Sequence, residues 1–379
     1  MDEVKTSAAG AANTPAAASK AEPIFVTRAF LPKWEEYADV LKGVWESGHL
    51  TNNGPVQQAF EKGLAEQAGL AHPLFVVNGT IALHLAIRAL DLKGEIITTG
   101  FSHPVTTISI IWEGCTPVFV DVDVDTFCID PNEIERAITP RTTAILATHV
   151  YGIPCDVEAI QAIADKHGLK VIYDGAHAFG TAYKGKPVLN YGDISTTSYH
   201  ATKIFQTVEG GSMHTNDPEL FEKLKRMRTM GQWREDFQML GVNAKNSEFH
   251  AAMGVANLPY LDDILAVRAG QWKRYEKGLA DAGVALARIP EGTDYNHSYF
   301  PAVFRTEEDL IRVRKVLNDQ DIHPRRYFFP ATTELPYVAR AGACPVAEGL
   351  AHRVLCLPLY HKLEDASIDR IVDLIRAHT

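Results

Sequence analysis

Between Leu74 and Ser198, short apolar runs of strand length recur, separated by stretches long enough to hold helices. The runs are Leu74 to Val77, Glu95 to Thr98, Pro117 to Val120, Thr143 to His149, Lys170 to Tyr173 and Ile194 to Ser198. Helical patterns such as Ile81 to Leu90 and Asp156 to His167 lie between them. Runs this short, alternating with helices, predict an α/β architecture with a mostly parallel sheet covered on both faces. Two helices are expected ahead of it, Lys33 to Ser47 and Pro55 to Gly69; the second has a proline in its first turn and Val56, Phe60 and Leu64 at helical spacing. After about Leu261 the texture changes. Ser298 to Phe304 reads as a strand, Glu307 to Gln320 as a helix, and Ile368, Ile371, Val372 and Ile375 mark one face of a terminal helix. The expected division is a disordered tail over 1–23, a large α/β domain over 24–260 and a smaller α+β domain over 261–379.

Composition narrows the function. A net charge of −10 argues against a nucleic-acid partner while leaving room for a local basic pocket. No run approaches the roughly 18 apolar residues of a membrane span, and the Ala/Ser/Thr-rich start has no signal-peptide core. The five cysteines are scattered without a CxxC pair, which suits a reducing cytoplasm and offers no metal site. A soluble, cytoplasmic protein is expected.

In open α/β sheets, ligands bind where strand ends, loops and helix N-termini converge. Three stretches reach that rim with useful groups. Asn78-Gly79-Thr80 opens a helix whose unpaired N–H groups suit a phosphate, although such caps are common. Asp174, in the string YDGAHAFG, stands at a strand end with His177 three residues on; opposite a pyridine ring its charge would keep the ring nitrogen protonated, and otherwise it is an ordinary loop residue. Lys203, in SYHATKIFQTVEGGS, sits among Tyr199, His200, Ile204 and Phe205 rather than on a charged surface run. A lysine desolvated in this way has a lowered pKa and a nucleophilic amine, and Ser198 before it can bind a phosphate. Taken singly each is open. A phosphate turn, a strand-end aspartate and a downstream lysine come in the order expected of a fold-type I pyridoxal 5'-phosphate (PLP) enzyme.

These segments, with TNNGP (Thr51 to Pro55), NGTIAL, the Thr106-Thr107 region, YGIPCD, GVNAKNSEFHAAMG and LCLPLY, resemble the DegT/DnrJ/EryC1/StrS sugar aminotransferases from about Phe30 to the C-terminus. The resemblance implies an aspartate aminotransferase-like fold. It implies that Lys203 is the Schiff-base lysine, that Asp174 partners the pyridine nitrogen and that His177 lies near the phenolic oxygen. It also implies that Gly79, Thr80 and Ser198 bind the phosphate, together with Asn243 from a neighbouring subunit, and hence a homodimer with shared active sites. Where the family carries an aromatic in a string like SFVAT, this chain has His103 in Ser102-His103-Pro104-Val105-Thr106, so stacking on the ring would fall to an imidazole or be lost. The related sugar 3-dehydratases have histidine where Lys203 stands, so the lysine points to transamination from L-glutamate. HPRRYFFP (His323 to Pro330) resembles the segment of members acting on dTDP-4-keto-6-deoxyglucose. It makes Arg325, Arg326, Tyr327 and Phe328, with His200, candidates for contact with a nucleotide-linked keto sugar; the plain reading of the two arginines is a surface charge cluster. A 3-keto sugar or a keto cyclitol is the alternative acceptor, and a non-catalytic PLP- or sugar-binding regulator the reading from another class.

Overall fold

The computed structural model describes residues 22–338 and 343–379, so the tail expected over 1–23 lies, up to residue 21, outside the described residues. The main sheet has seven strands: β1 (Leu74–Val76), β2 (Glu95–Thr99), β3 (Thr116–Val120), β4 (Thr142–Thr148), β5 (Lys170–Asp174), β6 (Ile194–Ser198) and β7 (Gly211–His214). Their spatial order is β1-β7-β6-β5-β4-β2-β3; β7 runs antiparallel to both of its neighbours, and the other pairings are parallel.

Successive residues of one strand go to opposite faces, and here both faces are covered. Ile97, Ile145, Ala147, Val171 and Tyr173 join one apolar cluster, whereas their neighbours Ile96, Ala144, Leu146 and Ile172 join another. That is why these strands read as unbroken apolar runs rather than alternating ones. The helices that matter for the site are α1 (Trp34–Ser47), α2 (Pro55–Gln67), α3 (Gly79–Ala89), α4 (Pro104–Trp112), α5 (Pro131–Ala137), α6 (Val157–His167), α7 (Pro218–Arg228) and α8 (Glu248–Asn257). Five of the first six open on a side-chain cap or a proline at the first turn: Pro55 begins α2, Asn78 caps α3, His103 caps α4, Asp130 caps α5 and Asp156 caps α6.

The C-terminal part is built on a three-stranded antiparallel sheet of β8 (Ala285–Leu286), β9 (Phe300–Val303) and β10 (Val354–Leu357), with β9 in the middle. It packs against α9 (Leu261–Leu279), α10 (Glu307–Asp319) and α12 (Asp365–Arg376), while α11 (Pro345–Arg353) leads into β10. The four residues expected to mark the terminal helix face all enter this core. Strand β9 is shorter than the Ser298 to Phe304 run; at its start the Ser298 carbonyl is bonded to Arg268. One apolar cluster joins Tyr173 and Ile145 to Ala347, Val354 and Cys356, so the two parts of the chain share buried surface beneath the site.

Candidate active site

The parallel strands deliver their ends to one rim. β4 ends at Thr148, β5 at Asp174 and β6 at Ser198, while β1 ends just before Asn78. A cavity of about 420 Å³ opens there, closed on its far side by Tyr299, Arg325, Tyr327 and Phe328 from the C-terminal part. This volume is in the range of small-molecule sites.

Lys203 lies on the loop between β6 and β7 and faces this cavity. Burial pushes its pKa down to about 8, with the Asp174 carboxylate pulling the other way. Roughly a tenth of its amine is therefore uncharged at pH 7, far more than for an ordinary lysine, and that is the form that attacks a carbonyl. Asp174 is buried; its Oδ2 accepts from Thr106 Oγ1 at 2.7 Å and its Oδ1 from the Ala176 N–H at 3.1 Å. Behind Thr106 the hydroxyls continue, to Ser102 Oγ at 2.7 Å and on to Thr148 Oγ1 at 2.9 Å. His177 is buried against Phe328, their rings nearly parallel at 6° and 5.5 Å apart. Burial first, then the charge of Lys203, holds its imidazole well below the usual histidine pKa, and its Nδ1 has no hydrogen-bond partner among the described residues.

The anion-ready turn is built by close backbone approach. Asn78 Oδ1 accepts from the Ile81 N–H at 2.9 Å, leaving the N–H groups of Gly79 and Thr80 at the open first turn of α3. Strand β7 presses against this turn: a Cβ on Gly211 would lie 2.5 Å from the Asn78 carbonyl carbon and 2.6 Å from the Gly79 nitrogen. Only glycine fits at that contact.

His103 lines the cavity as the cap of α4, its Nδ1 accepting from the Val105 N–H at 3.3 Å. Burial lowers its pKa, as does Lys203, so the ring is neutral near pH 7. His200 also reaches the cavity, its Nδ1 on Thr202 Oγ1 at 2.8 Å and its Nε2 3.7 Å from Glu209. Arg325 faces the same space across the Tyr327 ring, 5.2 Å from its centroid.

Arg326 is not brought here, and Asn243 is expected from a neighbouring subunit rather than from its own chain. Asn243 is exposed, outside the cavity, and accepts from Lys245 Nζ at 2.6 Å. Arg326 turns the other way: it bonds Glu307 at 2.7 Å and the His352 carbonyl at 3.0 Å, and lies 3.5 Å over the Phe329 ring. Its guanidinium is spent within the fold.

A model of the DegT/DnrJ/EryC1/StrS aminotransferase family matches residues 33–376. The chain belongs to this family. A dTDP-4-amino-4,6-dideoxy-D-glucose transaminase of Shigella dysenteriae is 42% identical over 94% of the chain and 99% of its own length. A UDP-N-acetyl-3-dehydro-alpha-D-glucosamine 3-aminotransferase of Acidithiobacillus ferrooxidans is 35% identical over 86% of the chain and 89% of its length. Among solved structures, DesI with its TDP-sugar product superposes with a TM-score of 0.88 at 34% identity, over 94% of this chain and 93% of that one. The fold is the PLP fold type I, and this family member is a PLP-dependent aminotransferase.

The cavity suits that cofactor on its own evidence. It offers an amine of lowered pKa, a buried carboxylate, a helix start into which β7 is packed without room for a side chain, and in His177 Nδ1 a buried polar atom still lacking a partner. Two lining residues, Thr148 and Tyr299, belong to ordinary strand-end and loop sequence outside any motif, and only the tertiary fold gathers them. The structure gives the reason for Arg326: Arg325 pairs with Cys356 as extended chain, where neighbours point to opposite sides.

Proposed function

We propose that this enzyme moves the amino group of L-glutamate to a nucleotide-linked keto sugar, dTDP-4-keto-6-deoxyglucose, giving dTDP-4-amino-4,6-dideoxyglucose. The observation that carries the reading is the meeting of Lys203 and Asp174 in one cavity, with Arg325 on its wall and with no carboxylate partner among the described residues. The similarity to the Shigella transaminase and to DesI supports the choice of sugar. PLP supplies an electron-withdrawing ring that stores the amino group between the two half-reactions.

The chain's own residues do the rest. Lys203 would anchor the cofactor and, once released, carry the proton between the substrate carbon and the cofactor's C4' at its Nζ. Asp174 would hold the ring nitrogen protonated, with His177 beside the phenolic oxygen. Gly79, Thr80 and Ser198 would hold the phosphate, and the neutral His103 ring would cover the pyridine face. Arg325, Tyr327 and His200 would receive the substrate, Arg325 as the cation for its phosphates. Arg326 is not part of this set. Asn243, exposed on its own chain, would complete the phosphate site of a second copy in a cytoplasmic homodimer.

The test is turnover with glutamate and a panel of nucleotide-linked 4-keto and 3-keto sugars. Preference for the 4-keto dTDP sugar supports the reading; preference for a 3-keto sugar would favour the alternative that the Acidithiobacillus relative suggests. No turnover of any member would sink both. For the dimer, mixing inactive Lys203→Ala and Asn243→Ala proteins should restore activity through hybrid sites, and no restoration would reject shared sites.

A further inference from the structure

The hydroxyl chain that ends on Asp174 has a direction, set by its last member. An ionised carboxylate only accepts, so the proton of Thr106 Oγ1 points at Asp174 Oδ2 across 2.7 Å. Having given its one proton there, Thr106 Oγ1 can only accept from Ser102, 2.7 Å away. Ser102 in turn accepts from Thr148 at 2.9 Å. All four residues are buried, with relative exposures of 5% or less. Aligned donors in such a place strengthen one another.

The arrangement is local in sequence as well. Ser102 and Thr106 are four residues apart across the start of α4, and between them His103 caps the same helix. A threonine inside a helix commonly returns its hydroxyl to a backbone carbonyl one turn back, as Ser109 does to Val105 at 2.8 Å. Thr106 reaches across to β5 instead. Together with the Ala176 N–H on Oδ1, this bond engages both carboxylate oxygens and stops the group from turning about its Cβ–Cγ bond.

We propose that Thr106, backed by Ser102 and Thr148, is a positioning residue for the transamination, orienting the Asp174 carboxylate for the ring nitrogen of the cofactor. This rests on the assignment of Asp174 to that nitrogen. The bond forfeited without Thr106 is one to a charged group, worth about tenfold to a hundredfold in rate if it acts in the transition state.

The test uses holoenzyme reconstituted with cofactor labelled at the ring nitrogen. Thr106→Val should lower kcat about tenfold to a hundredfold with KM for both substrates within about twofold. Its ring-nitrogen NMR resonance should move toward the unprotonated position. Thr106→Ser, which keeps the hydroxyl, should recover most of both effects, and Ser102→Ala should shift both in the same direction by less. A Thr106→Val enzyme that loses thermal stability but keeps kcat and the resonance would overturn the proposal, leaving the hydroxyls as core packing. Asp174→Asn separates the two levels. If it also leaves the resonance and kcat unchanged, the assignment of Asp174 fails; if it shifts them while Thr106→Val does not, only the positioning role fails. Should Thr106→Val not fold, Ser102→Ala decides in its place: unchanged kcat and resonance would reject the proposal.

Discussion

Lys203 gives a prediction that can be read before any cofactor is added. Burial brings its pKa down to about 8, partly offset by Asp174. At pH 8 half of the Lys203 side chains would carry a free amine, against roughly one in three hundred for a lysine at the ordinary 10.5. Competitive acylation of the apoenzyme across pH, read by peptide mass spectrometry against the surface lysines, should show Lys203 labelling with a midpoint near 8. The sign of the Asp174 effect is fixed by charge. The carboxylate favours the ammonium form, so Asp174→Asn removes a pull toward higher pKa and the midpoint must move down. A wild-type midpoint near 10 would mean that the amine is as well hydrated as a surface lysine. An upward move in Asp174→Asn would mean that the carboxylate is not felt at Nζ. Either result refutes the account of how this site makes a nucleophile.

Gly211→Ala places a methyl 2.5 Å from the Asn78 carbonyl carbon, where only backbone can yield, so the phosphate turn must shift; the PLP dissociation constant should rise about tenfold or more, roughly 1.4 kcal/mol, and equal affinity in equilibrium dialysis would contradict the assigned turn. The neighbouring arginines should part company. Arg325→Gln should raise KM for the nucleotide sugar about tenfold with little change in Tm, whereas Arg326→Gln, which leaves Glu307 with His352 Nδ1 alone and removes the donor to the His352 carbonyl, should cost about 2 kcal/mol of stability with KM unchanged. Thermal melts beside steady-state kinetics check both, and the reverse pattern would exchange their roles.

Six of the seven strands of the main sheet can be read from the sequence because the sheet is covered on both faces and they appear as bounded runs; β7, Gly211–His214, with one apolar side chain in four residues, does not. Asp174 and Lys203 stood out because one ends such a run and the other is set among apolar neighbours. The partners of Asp174 did not. Thr106 was visible within a matching string but without a task, and its bond to Asp174 spans 68 positions. Strand β10 was missed as well: Val354 to Leu357 is four residues directly after a helix, too short a run to separate from it by periodicity. The face closed by Tyr299 and Phe328 comes from the C-terminal part folding back over the rim, and no local pattern reports that.

The loop bearing Lys203 is fastened across its own base. Ser198 and Gly211 stand opposite each other where the pairing of β6 with β7 ends, the Tyr199 N–H reaches the Gly210 carbonyl at 2.8 Å, and the Thr207 N–H reaches the Tyr199 carbonyl at 2.8 Å. The Lys203 amine is thus carried on a closed insert, held at its base by these bonds and along its length by Ile204 and Phe205, which are buried in an apolar cluster with Phe60, Phe75 and Phe179. A replacement confined to position 203 would change the group presented to the cavity and leave both anchors in place, whereas replacing Ile204 or Phe205 would disturb the core that Phe75 of β1 shares.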